Sequence, residues 1–280
     1  MNPMHFIIAL ITGLAAGLHT STWGMYKDSP HEGFTFPKYF RSTIIGGLLG
    51  PVIWWVSGLD LSQPAQLLLL WGGTYAIERL ILEFYKTFLR EEDQSKYFIP
   101  MQLHIFGKVV ESRNGRLLAA AGYLAVVLLV GWGVYTLWQL HQAGSLGWHP
   151  LLIVFVIGSI GGWISAFGGA WKDAPLEGFQ IFKFFRSPAF AFGFSLLAAM
   201  LTDNFLFITL CGIGYTIATI ETYKTFFFPS KPRGKFAGKP IDFPEMLQRR
   251  QRYVPVFVSI WVAILILAFM AYSSGPQGLI

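Results

Sequence analysis

The chain has 280 residues, of which 54% are hydrophobic, 17% aromatic and only 13% charged, with a formal net charge of +6 and a mean hydropathy of +0.50. A soluble domain carries about 25% charged residues, so the composition excludes an ordinary soluble chain and points to a polytopic membrane protein, in which apolar stretches of about 20 residues set the architecture. The lone Cys211 excludes an internal disulfide and argues against a cysteine metal site, and the positive excess, concentrated in 229–253, does not suggest a nucleic-acid partner.

The residues before the first apolar segment, Met-Asn-Pro-Met-His, carry no Lys or Arg. A secretory signal needs a basic lead, so this segment is read as a retained first transmembrane helix. Eight spans are expected, at 5–26, 43–59, 65–88, 117–138, 150–171, 188–202, 205–228 and 253–272. Pro64, Pro150 and Pro188 fit the first turns of three of them, where a missing N–H costs nothing. The sixth, short for a full crossing, is expected to be thin, steeply packed or partly re-entrant.

Basic residues set the expected orientation. Lys27, Lys38 and Arg41 follow span one; Arg90, Lys96, Lys108, Arg113 and Arg116 follow span three; Lys172, Lys183 and Arg186 follow span five; and Lys231, Arg233, Lys235, Lys239, Arg249, Arg250 and Arg252 lie between spans seven and eight. The opposite turns hold only Asp60 and Asp203. By the positive-inside rule the basic loops are cytoplasmic and both termini lie on the non-cytoplasmic side. The 229–253 loop is expected to attract anionic lipid at the bilayer surface.

The chain repeats itself. Tyr26 to Ser42 recurs as Trp171 to Ser187 at a constant offset of 145, and Gly13 and Gly17 match Gly158 and Gly162 at the same offset. The segment Glu83 to Phe88 recurs as Glu221 to Phe226 at offset 138. The expected fold is therefore all-α, about eight transmembrane helices in two tandem four-helix repeats, 1–145 and 146–280. An even number of spans per repeat gives both copies the same orientation, related by a pseudo-twofold along the membrane normal. The glycine pairs give spans one and five small-residue faces for close helix approach.

The repeated motif occupies the hairpin after the first span of each repeat. In the first copy it offers Lys27, Asp28, Glu32, Lys38 and Arg41, and in the second Lys172, Asp173, Glu177, Lys183 and Arg186. Pro30 and Pro175 are expected to end the preceding helices, Gly33 and Gly178 to allow the turns, and Phe34 and Phe179 to anchor them. These charges suit either a headgroup or anion site or an ion-pair lattice tying the hairpin to neighbouring helix ends. Asp28 and Glu32 are spaced to hold a divalent ion with help from phosphate oxygens, but Lys27 and Lys38 compete for them, and no metal or cofactor is expected.

The copies differ inside the membrane. Tyr75, Arg79, Glu83 and Lys86 share one face of span three with Glu78 adjacent, whereas the matched residues are Ile213, Ile217, Glu221 and Lys224. His19 and His31 become Ile164 and Leu176. A central arginine costs at least about 2.5 kcal/mol to insert, so Arg79 needs a partner, with Glu78 and Glu83 the candidates.

Glu78, Arg79, Glu83, Lys86, Glu221 and Lys224 thus form the candidate intramembrane polar site. The functional expectation is a multi-pass transporter or permeation-type protein with a polar site between the repeats near Arg79 and Glu78. One alternative is a non-catalytic structural or accessory subunit of a larger membrane complex, bound to other membrane proteins. A third reading is an enzyme of lipid-phosphate headgroups using Lys27 and Arg41 for phosphate with Asp28 or Glu32 as base, although no catalytic motif is present.

Overall fold

Hydrocarbon offers no hydrogen bonds to a peptide group, so long apolar segments close their backbone bonds within helices. The computed structural model describes residues 3–229, 234–275 and 277–280. Lys231 and Arg233 of the basic loop lie outside the described residues. The long helices are α1 (Pro3–Glu32), α2 (Phe36–Ser57), α3 (Pro64–Phe84), α4 (Arg113–Gln142) and α5 (Pro150–Lys172). The short α6 (Ala174–Glu177), α7 (Ile181–Ala199), α8 (Phe205–Phe226), the one-turn α9 (Met246–Arg249) and α10 (Val254–Ser273) follow. α3 runs into a π-helical turn at Tyr85–Leu89, and strands β1 (His104–Ile105) and β2 (Lys108–Val109) form a small antiparallel hairpin.

Among the described residues, six segments are long and apolar enough to cross a membrane: α1, α4, α5, α7, α8 and the continuous stretch Met246–Ser273. The protein is therefore an all-α, integral multi-pass membrane protein. Helices α2 and α3, of 22 and 21 residues, have the length to cross, but α3 carries Glu78, Arg79 and Glu83 and α2 opens with Lys38 and Arg41.

Two boundaries differ from the sequence expectation. Pro30 does not end α1, which continues to Glu32. Its missing N–H leaves the Tyr26 carbonyl without the usual helical donor, and Arg250 supplies one, Nη1 to Tyr26 O at 2.8 Å, with its guanidinium 4.2 Å from the Tyr26 ring centroid. Pro188 does not start the sixth span, because α7 begins seven residues earlier, at Ile181, and reaches 19 residues. Gly33 and Gly178 do take left-handed backbone, at φ 71° and 84°, where a side chain would be strained.

The chain divides into two compact units. One comprises 1–79, 217–232 and 238–277, the other 80–216, 233–237 and 278–280. In the first, α1 lies directly against α2: a Cβ on Gly13 would land on the Gly46 carbonyl, and one on Gly17 on the Ser42 carbonyl. Apolar clusters flank this contact, with Ala9, Trp54, Leu61 and Leu70 in one and Met25, Tyr39 and Met246 in the other. In the second unit α5 meets α7 in the same manner, Gly158 against Ser195 and Gly162 against Ser187 and Pro188. There Ile153, Val154, Ile157, Ala199, Phe205 and Ile208 form the core, and the amides of Leu279 and Ile280 cap the Thr202 and Ala199 carbonyls.

Such backbone contact leaves no room for a side chain. Gly17→Val should destabilise the protein by about 1–3 kcal/mol or more through overpacking. Gly24→Ala, on the same helix with open space around its Cβ position, should be neutral. Thermal unfolding of the two variants in detergent checks the contrast.

Candidate functional site

The site is built on α1, α3, α8 and α10 within the first unit. Residues four apart on a helix stack on one face, so Lys27, Trp23 and His19 descend one side of α1 while Arg79, Tyr75 and Trp71 descend α3. Eight residues of helix span about 12 Å, which takes this column from the end of α1 well into the apolar layer.

At its outer end Lys27 donates to Glu221 at 3.4 Å, and Lys224 reaches the same carboxylate at 3.3 Å. One level in, Arg79 forms a bidentate pair with Glu78: Nε to Oε2 at 2.7 Å and Nη2 to Oε1 at 2.9 Å. The two residues are 5% and 0% exposed. Two parallel charge-assisted bonds between planar groups neutralise the arginine strongly and let α3 bury it among apolar side chains. The Trp23 ring stands between the cations, 4.7 Å from Lys27 Nζ and 5.5 Å from the Arg79 guanidinium.

Trp23 also donates its indole N–H to the Tyr75 hydroxyl at 2.8 Å, and Tyr75 Oη lies 3.1 Å from His19 Nδ1. His19 closes the column, wholly buried, stacked on Phe257 at 4.2 Å and edge-on to Trp261, Tyr75 and Trp71 at 5.2 to 5.7 Å. Its Nε2 has no hydrogen-bond partner among the described residues. The network thus links two ion pairs to a buried imidazole through one tryptophan and one tyrosine.

The structure brings Glu78, Arg79, Glu221 and Lys224 into this unit and joins the hairpin residue Lys27 to them. Glu83 and Lys86 belong to the second unit, where Lys86 donates to Glu83 at 3.0 Å and Glu83 is half exposed. In the hairpins, Lys38 pairs with Glu32 at 3.6 Å, and Lys183 pairs with Glu177 at 2.7 Å and with Asp173 at 3.7 Å. Asp28, Arg41 and Arg186 are half-buried, and Lys172 rests against Met101 Sδ at 4.0 Å. Among the described residues no three His, Cys, Asp or Glu side chains converge into a metal site.

Sequence reasoning missed Trp23, Trp71, Phe257 and Trp261, because aromatic residues in membrane helices read first as lipid-facing packing. The helical spacing of Trp23 from His19 and Lys27 was the available signal. It also gave Arg249 and Arg250 to the lipid-facing loop, whereas Arg249 covers the Phe34 ring at 5.1 Å and Arg250 is buried on Tyr26.

Outside the spans, Glu92 is half-buried, which raises its pKa, but the Lys96 bond and the Arg90 charge outweigh that and hold it below the usual carboxylate range. His104 is held below its ordinary value of 6.5 by burial and then by the Lys172 charge. No known protein family's model matches this chain, and no curated protein or solved structure is significantly similar to it.

Removing one member of the buried pair leaves an uncompensated charge. Arg79→Met alone should cost about 3–5 kcal/mol, and adding Glu78→Gln should restore most of it. A double-mutant cycle on detergent unfolding measures the coupling. His104 binds a proton less readily folded than unfolded, so its contribution to stability is complete above pH 6.5 and fades as pH falls below it. Acidification from pH 7 to 5 should speed hydrogen exchange at the Leu103 and Val110 amides, after correction for intrinsic rates, and His104→Gln should abolish that response.

Proposed function

We propose that the chain is a multi-pass membrane transporter or permeation-type protein whose working site is the ionisable column around Arg79 and Glu78. In this reading eight spans form two tandem four-helix repeats, 1–145 and 146–280, in one orientation, with both termini on the non-cytoplasmic side. Support for the repeats comes from matched contacts at offset 145: Gly17 on Ser42 and Gly162 on Ser187, Glu32 with Lys38 and Glu177 with Lys183. The absence of Lys and Arg from the turns at Asp60 and Asp203 supports the orientation.

The observation that carries the functional reading is the inequality of the two copies. The positions of His19, Tyr75, Glu78 and Arg79 are held in the second copy by Ile164, Ile213, Thr216 and Ile217. A shared scaffold needs nothing from these charges, since the second copy packs without them, and buried charge in a membrane helix is retained where it serves passage of a solute or ion. The substrate class that fits is an anion with two oxygens on one centre, able to replace the Glu78 carboxylate on the Arg79 guanidinium.

The closed state of the pair also favours a second reading, an accessory subunit in which Glu78 and Arg79 lock α3 in register. One experiment separates them. In a Cys211→Ser background, Tyr75→Cys in proteoliposomes should react with a membrane-impermeant thiol reagent from one side and be protected by a transported anion. The charge-free double variant Glu78→Gln with Arg79→Gln should assemble normally yet lose at least about 90% of anion flux, an effect of about 1.4 kcal/mol or more on the transition state. Protection of Tyr75→Cys from both sides, with no flux in the parent protein, sinks transport in favour of the subunit reading. The enzyme reading is weaker, because Lys27, its intended phosphate ligand, is engaged with Glu221.

A further inference from the structure

The second unit holds an arginine and a histidine whose buried side-chain nitrogens have no hydrogen-bond partner among the described residues, with a lysine beside the histidine. Arg90, just past the π-helical turn, spends Nη1 on Glu92 at 2.8 Å, while its Nε and Nη2 are buried without partners. His104, on β1, is 3% exposed, and neither of its ring nitrogens has a hydrogen-bond partner among the described residues. Lys172, at the end of α5, has Met101 Sδ as its contact and lies near enough to His104 for its charge to disfavour imidazole protonation, against a smaller opposite effect of the neighbouring Asp173.

One short segment ties the three together. Gln102 Nε2 donates to the Arg90 carbonyl at 2.5 Å, the Leu103 amide donates to Thr87 O at 2.8 Å, and the Trp171 indole donates to His104 O at 3.3 Å. Met101 to His104 therefore lies against both the residue bearing one free pair of donors and the helix end bearing the lysine. The nearby acids are already engaged: Glu92 by Arg90, Lys96 and Tyr97, and Asp173 by Lys183.

The duplication sharpens the point. Lys27, the first-copy counterpart of Lys172, has Glu221 as its carboxylate. The matched carboxylate for Lys172 would be Glu83, which accepts from Lys86 instead. Both carboxylates are present, but among the described residues Lys172 pairs with neither. Buried guanidinium and imidazole donors left unmade are among the costliest features a fold can keep, and an exogenous acceptor is the ordinary remedy.

We propose that Arg90, His104 and Lys172 form a binding site for a phosphate group. A guanidinium, an imidazole N–H and an ammonium borne on segments that Met101 to His104 bridges suit a tetrahedral oxyanion with acceptors in several directions. The same phosphate chemistry belongs to a phospholipid headgroup and to a soluble phosphate. The apolar rim favours the lipid as source: Phe106 and Trp171 have ring centroids 6.0 Å apart and are 76% and 57% exposed, as aromatic residues at a membrane surface are.

The test uses the full-length protein in a neutral detergent and follows thermal unfolding with dioctanoyl phosphatidic acid, dioctanoyl phosphatidylcholine or inorganic phosphate at matched ionic strength. Phosphatidic acid should raise the midpoint in a saturable way, and Lys172→Gln combined with His104→Gln should weaken its apparent affinity by about tenfold or more, with Lys172→Arg largely retaining it. Stabilisation by inorganic phosphate to the same extent assigns the site to a soluble phosphate, and stabilisation by the lipid alone assigns it to the headgroup. No phosphate-dependent shift, or a shift unchanged in the double variant, overturns the proposal. If the double variant does not fold, Arg90→Gln takes its place in the titration, and native mass spectrometry of the parent protein reads bound phospholipid directly; an unchanged shift in Arg90→Gln together with no retained phospholipid overturns the proposal equally.

Discussion

A guanidinium cannot be buried among apolar side chains alone, and the closure of Arg79 by Glu78 is the condition on which the first unit is organised. Because the two residues are neighbours on α3, both side chains must bend into one crevice, and that crevice needs walls that tolerate a dipole. Trp23 provides one, with its π face toward the guanidinium and its N–H turned away to Tyr75. The wall fixes the rotation of α1, and with it the positions of His19 one turn deeper and Lys27 one turn shallower.

The glycine contact makes this arrangement possible. With Gly13 and Gly17 against Gly46 and Ser42, α1 can lie on α2 at backbone distance along one face. Its other faces remain available for Tyr75, Phe257 and Glu221, all of which reach α1 side chains. A helix held on one side by backbone contact can present long side chains elsewhere without losing its place. The loop that follows α8 completes the hold, since Arg250 replaces the N–H that Pro30 removes from α1 and Gln251 reaches the Tyr26 hydroxyl at 2.8 Å.

Much of this was legible in the sequence, and the rest was hidden for identifiable reasons. Membrane helices follow from run length, and the left-handed turns at Gly33 and Gly178 follow from glycine inside a repeated hairpin. The need of Arg79 for a carboxylate was plain, with Glu78 and Glu83 both in reach by spacing. Which of them closes on it is a matter of rotamers and neighbouring walls, which spacing does not encode. The pairing of Lys27 with Glu221, 194 residues apart, and of Arg250 with Tyr26, 224 apart, depends on tertiary approach. Pro30 misled for the same reason: proline breaks a helix when the freed carbonyl has no donor, and here a distant arginine brings one.

The recurring sequence segments, read as two copies in the proposed architecture, supply a comparison within one molecule. Where the copies agree, at the interhelical glycines, the hairpin Lys–Glu pair and the left-handed turn, the matched residues make matched contacts. These are the terms any such hairpin needs to pack. Where they disagree, the first copy holds the buried Arg79–Glu78 pair and His19, and the second has Ile217, Thr216 and Ile164 at the matched positions. A copy held only to packing drifts toward apolar residues at such positions, because each buried charge raises the energy of the fold. In the proposed reading the second copy has taken that course and the first has not, so the charges of Arg79 and Glu78 answer to something other than packing.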